Sequence, residues 1–305
     1  MRAKKLAILV LASAAACSPS KYALRRAAEA LTSTGEGGSF GRDDDPELIG
    51  AAVPFALKTM ESLADRLNDD APLRLGMARG FTQYAYGWVQ MPADEIADRN
   101  LSRARFERER AARLYLRARR YGLDGIKIQR GVTEDELRGV EAQRALALQK
   151  MVKDDVPLLY WTMAAWGGAI SLRKTDLELV GDVPAVGAML DRALALDEVF
   201  EDGALHEFAI QLDPARPEGT TPQKQRAHFE RARELQKGKK ISALVTYAEA
   251  VAGPAQDKKT FEALLDEALA FDVDAPAARD DRLANILSQR RARWLRAHES
   301  DILSN

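Results

Sequence analysis

Apolar side chains along most of this chain recur at steps of three and four residues, which is the spacing of an amphipathic helix. Near the start of the pattern they fall at Ile49, Val53, Ala56, Met60, Leu63 and Leu67. The stripe returns at Val183, Val186, Leu190, Ala193 and Leu194, and again at Phe261, Leu264, Leu265, Ala268 and Leu269. The segment 125–128 is too short to be a convincing strand. The pattern predicts an all-α body of roughly a dozen helices.

Capping and proline signals mark the expected helix ends. Asp45 precedes Pro46, which suits the N-cap and first turn of a helix, so the folded body is predicted to begin there. Thr133 and Glu136 match a capping box, which predicts a helix from this point to about Met151. Prolines at 92, 157, 184, 222 and 254 also lie near predicted ends, where a missing N–H is tolerated.

Traces of internal repetition favour helical hairpins. Ala193, Ala232 and Ala268 recur at intervals of 39 and 36 residues within similar helical segments. These intervals are close to the tetratricopeptide length of about 34 residues. Small residues at such positions let paired helices approach closely. The predicted fold is therefore all-α, with stacked hairpins in a degenerate tetratricopeptide-like solenoid or bundle; generic alanine-rich helices are the alternative.

The N-terminus has the three parts of a secretory signal peptide. Arg2, Lys4 and Lys5 are positive, residues 6–12 are apolar, and residues 13–16 are small. The apolar part is too short to remain as a transmembrane helix. Residues 1–16 are therefore predicted to be a cleaved signal peptide, and the protein to be exported.

Cys17, the single cysteine of the chain, directly follows the small residues. The arrangement resembles the lipobox of bacterial lipoproteins, in which this thiol accepts a diacylglyceryl group, although Ala14 stands where the lipobox prefers Leu. A lone cysteine cannot form an internal disulfide, which favours lipid attachment over a spare thiol after an ordinary signal peptide. By analogy with sorting rules, Pro19 favours the outer membrane over the inner one. We expect a periplasmic protein anchored by lipid.

The domain organisation follows from these segments. Residues 17–45 are predicted to form a lipid-anchored flexible tether, because residues 34–39 are polar and rich in glycine, although residues 21–31 could form a short helix. Residues 46–305 are predicted to form a single all-helical tetratricopeptide-like domain.

Charge excludes one class of partner. Lys and Arg (45) nearly balance Asp and Glu (46), leaving a formal net charge of −1. A balanced chain has no overall field that would attract nucleic acid. The arginine-rich stretch 103–120 is interrupted by Glu107 and Glu109, which indicates a salt-bridged, exposed helix.

Two aromatic clusters stand out in a chain with only 7% aromatic residues. Helical spacing places Phe81, Tyr84 and Trp88 on one face and Tyr86 elsewhere. Packing between hairpins is one interpretation of the clusters, and a largely apolar groove with polar Gln83 and Thr162 is the other. The candidate groove or core residues are Phe81, Gln83, Tyr84, Trp88, Tyr160, Trp161, Thr162 and Trp166.

Catalytic and metal-binding patterns are weak. His206, His228 and His298 lie in different predicted helices, and none has a second ligand at a metal-motif spacing. Neither a phosphate-binding loop nor a Gly-x-Ser-x-Gly elbow occurs in the sequence. We therefore expect no catalytic residues, no metal and no cofactor.

Motifs in order along the body resemble the T-component family of tripartite ATP-independent periplasmic (TRAP) transporters. The matching motifs are DPEL (45–48), PFALK (54–58), GFTQYAY (80–86), YLRAR (115–119), DVPLLYW (155–161), WG (166–167), ALALD (193–197), GALHEF (203–208), SALVTYAEA (242–250), RLAN (282–285) and QRRA (289–292). The resemblance covers nearly everything from residue 45 to the C-terminus.

The resemblance implies a non-enzymatic periplasmic lipoprotein with tetratricopeptide-like hairpins. Its implied partner is the periplasmic solute-binding P-component of the transporter. It also implies a homo-oligomer, such as a trimer, with a pore or groove for an apolar or organic-acid ligand. The alternatives are a general envelope-assembly scaffold without a ligand and a cell-envelope enzyme with an unrecognised active site.

Overall fold

The computed structural model describes residues 19–32 and 38–303, and every regular element in these ranges is helical, which confirms the predicted all-α class. The predicted signal peptide and Cys17 lie outside the described residues. In chain order the α-helices are α1 (Pro19–Thr32), α2 (Pro46–Ala64), α3 (Ala71–Ala85), α4 (Met91–Glu95), α5 (Leu101–Arg130), α6 (Glu134–Arg138), α7 (Glu141–Gln149), α8 (Val156–Leu172), α9 (Leu177–Val180), α10 (Val183–Asp197), α11 (Ala204–Leu212), α12 (Pro222–Gln236), α13 (Ser242–Tyr247), α14 (Lys258–Ala270), α15 (Arg282–Ala297) and α16 (Glu299–Ile302).

Two short segments are π-helical, the first at Tyr86–Gln90 after α3 and the second at Ala248–Ala252 after α13. Short 3₁₀ segments lie at Lys153–Asp155, Phe200–Asp202, Asp213–Ala215 and Pro276–Asp281. The π-helical segments matter most here because such turns are rare and often occur at functional sites.

The long helices of the N-terminal half pack as antiparallel neighbours. Gly125 near the end of α5 lies against Leu158 at the start of α8, while Tyr115 in the middle of α5 lies against Gly168 near the end of α8. The same α5 residue, Gly125, also lies beside Arg74 near the start of α3. Helix α5 is therefore sandwiched between α3 and α8, with both neighbours running opposite to it.

Glycines allow this close approach of α5 and α8. An added Cβ at Gly122 would overlap the side chain of Thr162 and would lie 3.1 Å from its Cα. Helix α5 ends at Arg130, and the next residue, Gly131, has a φ of 66°. That left-handed conformation has little penalty only in a residue without Cβ.

Apolar burial falls into three clusters. The N-terminal cluster includes Leu57 and Met77, the central cluster includes Trp166, and the C-terminal cluster includes Phe261 and Leu265. The alanines that suggested a repeat, at 193, 232 and 268, are all fully buried, in α10, α12 and α14. Their burial agrees with close helix packing, while the tetratricopeptide-like character of the stacking stays a prediction.

The helix predicted from the Thr133–Glu136 capping box to about Met151 is broken. The capping box forms, but α6 ends at Arg138 because Gly139 has an extended backbone with ψ of −178°. Helix α7 starts again at Glu141. The Arg144 side chain donates a hydrogen bond to the Gly139 carbonyl at 3.0 Å, which satisfies a backbone acceptor at the break.

Part of the predicted tether contacts the helical body. In α1, Ala28 is 3% exposed and joins the N-terminal apolar cluster. Further on, the Leu283 backbone N–H donates to the Gly41 carbonyl at 3.0 Å, and Arg42 pairs with Asp280 at 2.7 Å. These contacts link residues before α2 to the beginning of α15.

Candidate ligand cavity

A cavity of about 1020 Å³ lies between the two halves of the chain. Its lining residues come from α2, α3, α8 and the first π-helical segment in the N-terminal half, and from α11, α13, α15 and the second π-helical segment in the C-terminal half. Many of the lining side chains are apolar, among them Val53, Met60, Phe208, Val245 and Leu287. A cavity of this size with mostly apolar walls and a few polar groups is typical of small-molecule sites.

The first aromatic cluster contributes three of its four candidate residues to the wall, namely Gln83, Tyr84 and Trp88. The rings of Tyr84 and Trp88 are stacked, with centroids 6.2 Å apart and planes inclined by 15°. The indole N–H of Trp88 donates to the Pro46 carbonyl at 2.7 Å. A side chain at Gly50 would overlap this indole, so the glycine makes room for it.

The second aromatic cluster contributes Tyr160 and Trp161 to the wall. Their ring centroids are 5.0 Å apart in an edge-to-face arrangement. The Trp161 N–H donates to the Glu201 carboxylate at 3.3 Å, and the Arg79 guanidinium lies 5.6 Å from the Trp161 ring centroid. Because Arg79 Nη2 is also 3.7 Å from Glu201 Oε1, this cation already has an aromatic and an acidic neighbour.

Three candidate residues lie in the core and not at the cavity. Phe81 is 3% exposed and packs 5.8 Å from the Tyr121 ring centroid. Thr162 is fully buried, and its hydroxyl donates to the Leu158 carbonyl at 2.6 Å. Trp166, also fully buried, donates from its N–H to Asp182 Oδ2 at 3.1 Å. Some residues of the two clusters therefore pack in the core and others line the cavity. A ligand role for the cavity-lining residues stays a prediction.

Tyr86, which helical spacing places on a different face from Tyr84 and Trp88, also lines the cavity. The prediction assumed a regular α-helix through residue 88, but the π-helical turn begins at Tyr86 and changes the angular spacing of side chains. Tyr86 is 44% exposed, and it is in contact with the cavity space. Desolvation at the cavity, together with the negative charge of Glu249, raises the pKa of Tyr86 to about 12.

A polar part of the cavity lies near the two π-helical segments. Arg291 of α15 forms a two-pronged ion pair with Glu249 of the second segment, with Nε 3.0 Å from Oε2. Its Nη1 also lies 3.2 Å from Asp94, beyond the first segment. The Tyr115 hydroxyl donates to Gln90 Oε1 at 2.8 Å. Arg291 thus joins elements that lie almost 200 residues apart in the chain, at 94 and 291.

Glu207 of α11 is a further acidic residue of the cavity wall. Ser242 Oγ and Gln236 Nε2 donate hydrogen bonds to its Oε1, at 2.8 and 2.6 Å. Burial raises the pKa of Glu207 to about 7, although these hydrogen bonds, one with Thr246 and the charge of Lys240 act in the opposite direction. Glu207 is therefore poised between its neutral and charged forms near neutral pH.

The histidines do not form a metal site within the described residues, where no group of three or more potential ligands occurs. The fold nevertheless brings His206 and His228 together, with their Nδ1 atoms 2.9 Å apart. Burial lowers the pKa of both imidazoles. His298 lies elsewhere and contacts Asp98 at 2.8 Å.

Sequence reasoning did not select Glu207, Glu249 or Arg291 as site residues. The available signal for Glu207 was local: it is the one acidic residue in the otherwise largely apolar helix ALHEFAIQL. Acidic residues on an amphipathic helix usually face solvent, and the partners of Glu207 come from α12 and α13, so the sequence alone could not distinguish this carboxylate from the many others.

The described residues form an all-helical protein with a large, mostly apolar cavity. The family model described as TAtT, TRAP transporter T-component, matches residues 42–303. The chain therefore belongs to the TRAP transporter T-component family. A protein of Treponema pallidum (strain Nichols), described as an uncharacterized protein, is 31% identical over 265 residues, which cover 86% of this chain and 81% of that one.

Family membership makes this chain an accessory component of a TRAP transporter system, and the family is not known as one of enzymes. A T-component is expected to associate with a TRAP transporter. Within residues 19–32 and 38–303, no helix has the length and apolar character needed to cross a membrane.

Proposed function

We propose that this protein is a lipid-anchored periplasmic T-component that binds the solute-binding P-component and takes a small, largely apolar ligand or organic acid into its cavity. The observation that carries the proposal is the cavity of about 1020 Å³ with stacked Tyr84 and Trp88 on one wall and paired Tyr160 and Trp161 on another. Aromatic and aliphatic walls favour the transfer of an apolar ligand out of water.

The proposed form of the protein includes acylation of Cys17, anchoring at the outer membrane and a homo-oligomer such as a trimer. Two or more acyl chains at one terminus are enough for stable membrane attachment. Apolar side chains exposed on the protomer, such as Phe55 (80%) and Leu177 (83%), support the proposal of protein contacts. We further propose that the antiparallel helix pairs are degenerate tetratricopeptide hairpins, which would present a concave surface to a partner.

A crosslinked pull-down of the tagged full-length protein from its own cells tests the partner. Mass spectrometry should identify a periplasmic solute-binding protein, and the N-terminal peptide in the same sample should carry lipid on Cys17. Recovery of envelope-assembly proteins without a solute-binding protein would replace the transport proposal with the general scaffold. An unmodified Cys17 would remove the proposed anchor.

A further inference from the structure

Glu207 differs from the other carboxylates of the cavity wall in its lack of a paired cation. Within the part of the chain that the structure describes, no Lys, Arg or His nitrogen lies within 4.0 Å of its carboxylate. Its hydrogen-bond donors are neutral: the Ser242 and Thr246 hydroxyls and the Gln236 amide. A partly buried carboxylate without a counter-charge is unfavourable when ionised, so it favours any cation that can reach it.

The cations of the cavity wall, in contrast, either have acidic neighbours already or are exposed to solvent. Arg291 is paired with Glu249 and Asp94. Arg79 lies near Glu201 and over the Trp161 ring. Lys174 is an exposed residue at the margin of the cavity. A ligand carboxylate would therefore have to compete with existing acidic partners in the interior, whereas a ligand cation would find Glu207 without one.

We propose that Glu207 receives a protonated amine, or an equivalent nitrogen cation, at the head of a ligand whose apolar part lies along the aromatic walls of the cavity. This inference rests on the proposed ligand-binding function and, of its two ligand classes, favours the largely apolar ligand over the organic acid. The neutral donors on Oε1 orient the carboxylate, and the ligand nitrogen supplies the missing charge-assisted hydrogen bond. Charge-assisted bonds of this kind are stronger than neutral ones.

The expected pH dependence of amine binding follows from the ionisable groups around Glu207. Lys240 faces it from the loop before α13, and Tyr86 faces it from the first π-helical segment, with the Glu249–Arg291 pair close to Tyr86. His206, the preceding residue on α11, is engaged with His228 of α12. The pKa of Glu207 is about 7, so its ionised form increases between pH 5.5 and 8, while an alkylamine keeps its proton in that range.

The test uses three probes with the same eight-carbon tail: octylammonium, octanol and octanoate. Binding to the full-length protein is followed by the fluorescence of Trp88 and Trp161, which line the cavity. Octylammonium should bind about tenfold or more tightly than octanol at pH 8, and its affinity should rise from pH 5.5 to 8. The variant Glu207→Gln, which keeps the side-chain shape, should lose this preference for the amine and keep the affinity for octanol.

The outcomes separate this inference from the proposal on which it rests. If octanol or octanoate binds as tightly as octylammonium, and E207Q changes nothing, the assignment of Glu207 is wrong while the cavity remains a ligand site. If none of the three probes binds saturably, the ligand-binding function fails together with the inference. If E207Q folds poorly, the affinity of the unmodified protein for octylammonium, measured from pH 5.5 to 8, still tests the inference: an affinity that does not rise with pH would contradict it.

Discussion

Replacing Glu207 with Gln should stabilise the protein at alkaline pH and change its stability little at acid pH. Burial raises the pKa of this carboxyl group from 4.5 to about 7 in the folded chain. Between these two values the folded chain holds a proton that the unfolded chain has released, so stability falls as the pH rises through this window.

The magnitude follows from the size of the pKa change. Each pKa unit corresponds to about 1.4 kcal/mol, so ionised Glu207 lowers the free energy of unfolding by up to about 3 kcal/mol above pH 7. Glutamine resembles the neutral acid in shape and carries no charge. E207Q should therefore gain up to about 3 kcal/mol relative to the unmodified protein at pH 8, and nearly nothing at pH 4.5.

Urea unfolding of both proteins at several pH values measures this difference. Burial lowers the pKa of His206 and of His228, and their effect on the stability is common to both proteins and largely cancels in the comparison. Glu136 provides a control of opposite sign, because hydrogen bonds with Thr133 lower its pKa. E136Q should lose stability relative to the unmodified protein as the pH rises through 4.5. If the free energy of unfolding changes with pH in the same way in E207Q and in the unmodified protein, the reasoning about Glu207 is wrong.

Further predictions concern the packing of the central helices. Gly122→Ala should reduce the free energy of unfolding by about 1–3 kcal/mol in urea, because the added methyl group would overlap Thr162 between α5 and α8; an unchanged midpoint would contradict that close approach. Trp166→Phe should cost about 1–3 kcal/mol because Asp182 loses its indole donor. Trp294→Phe is the matched control, since its buried N–H has no hydrogen-bond partner in the described part of the chain, and it should cost less.

Helix class and helix starts were predictable from local signals. The periodic apolar stripe and the Asp45–Pro46 cap place α2 correctly, and Asp45 accepts hydrogen bonds from the backbone N–H groups of Glu47 and Leu48. The break at Gly139 was less evident, because glycine is tolerated inside helices and its extended conformation depends on how α6 and α7 pack.

The cavity was only partly predictable. Aromatic residues marked its walls, but a helical wheel could not anticipate the π-helical turn that brings Tyr86 to the cavity. Nor could it anticipate that Glu207 would meet Gln236 and Ser242, which are 29 and 35 residues away. Such contacts depend on tertiary packing, which a periodic pattern does not encode.

The central claim, that the cavity holds a small apolar ligand, can be tested most directly by octanol binding to a variant with the cavity filled. Ala164 of α8 lines the cavity, and Ala164→Trp should occupy part of its volume. The control, Ala145→Trp, places the same side chain at an exposed position on α7. Calorimetric titration should show saturable octanol binding with a negative heat-capacity change in the unmodified protein and the control, and clearly weaker binding in A164W. Equal binding in all three proteins, or no saturable binding in any, would contradict the account.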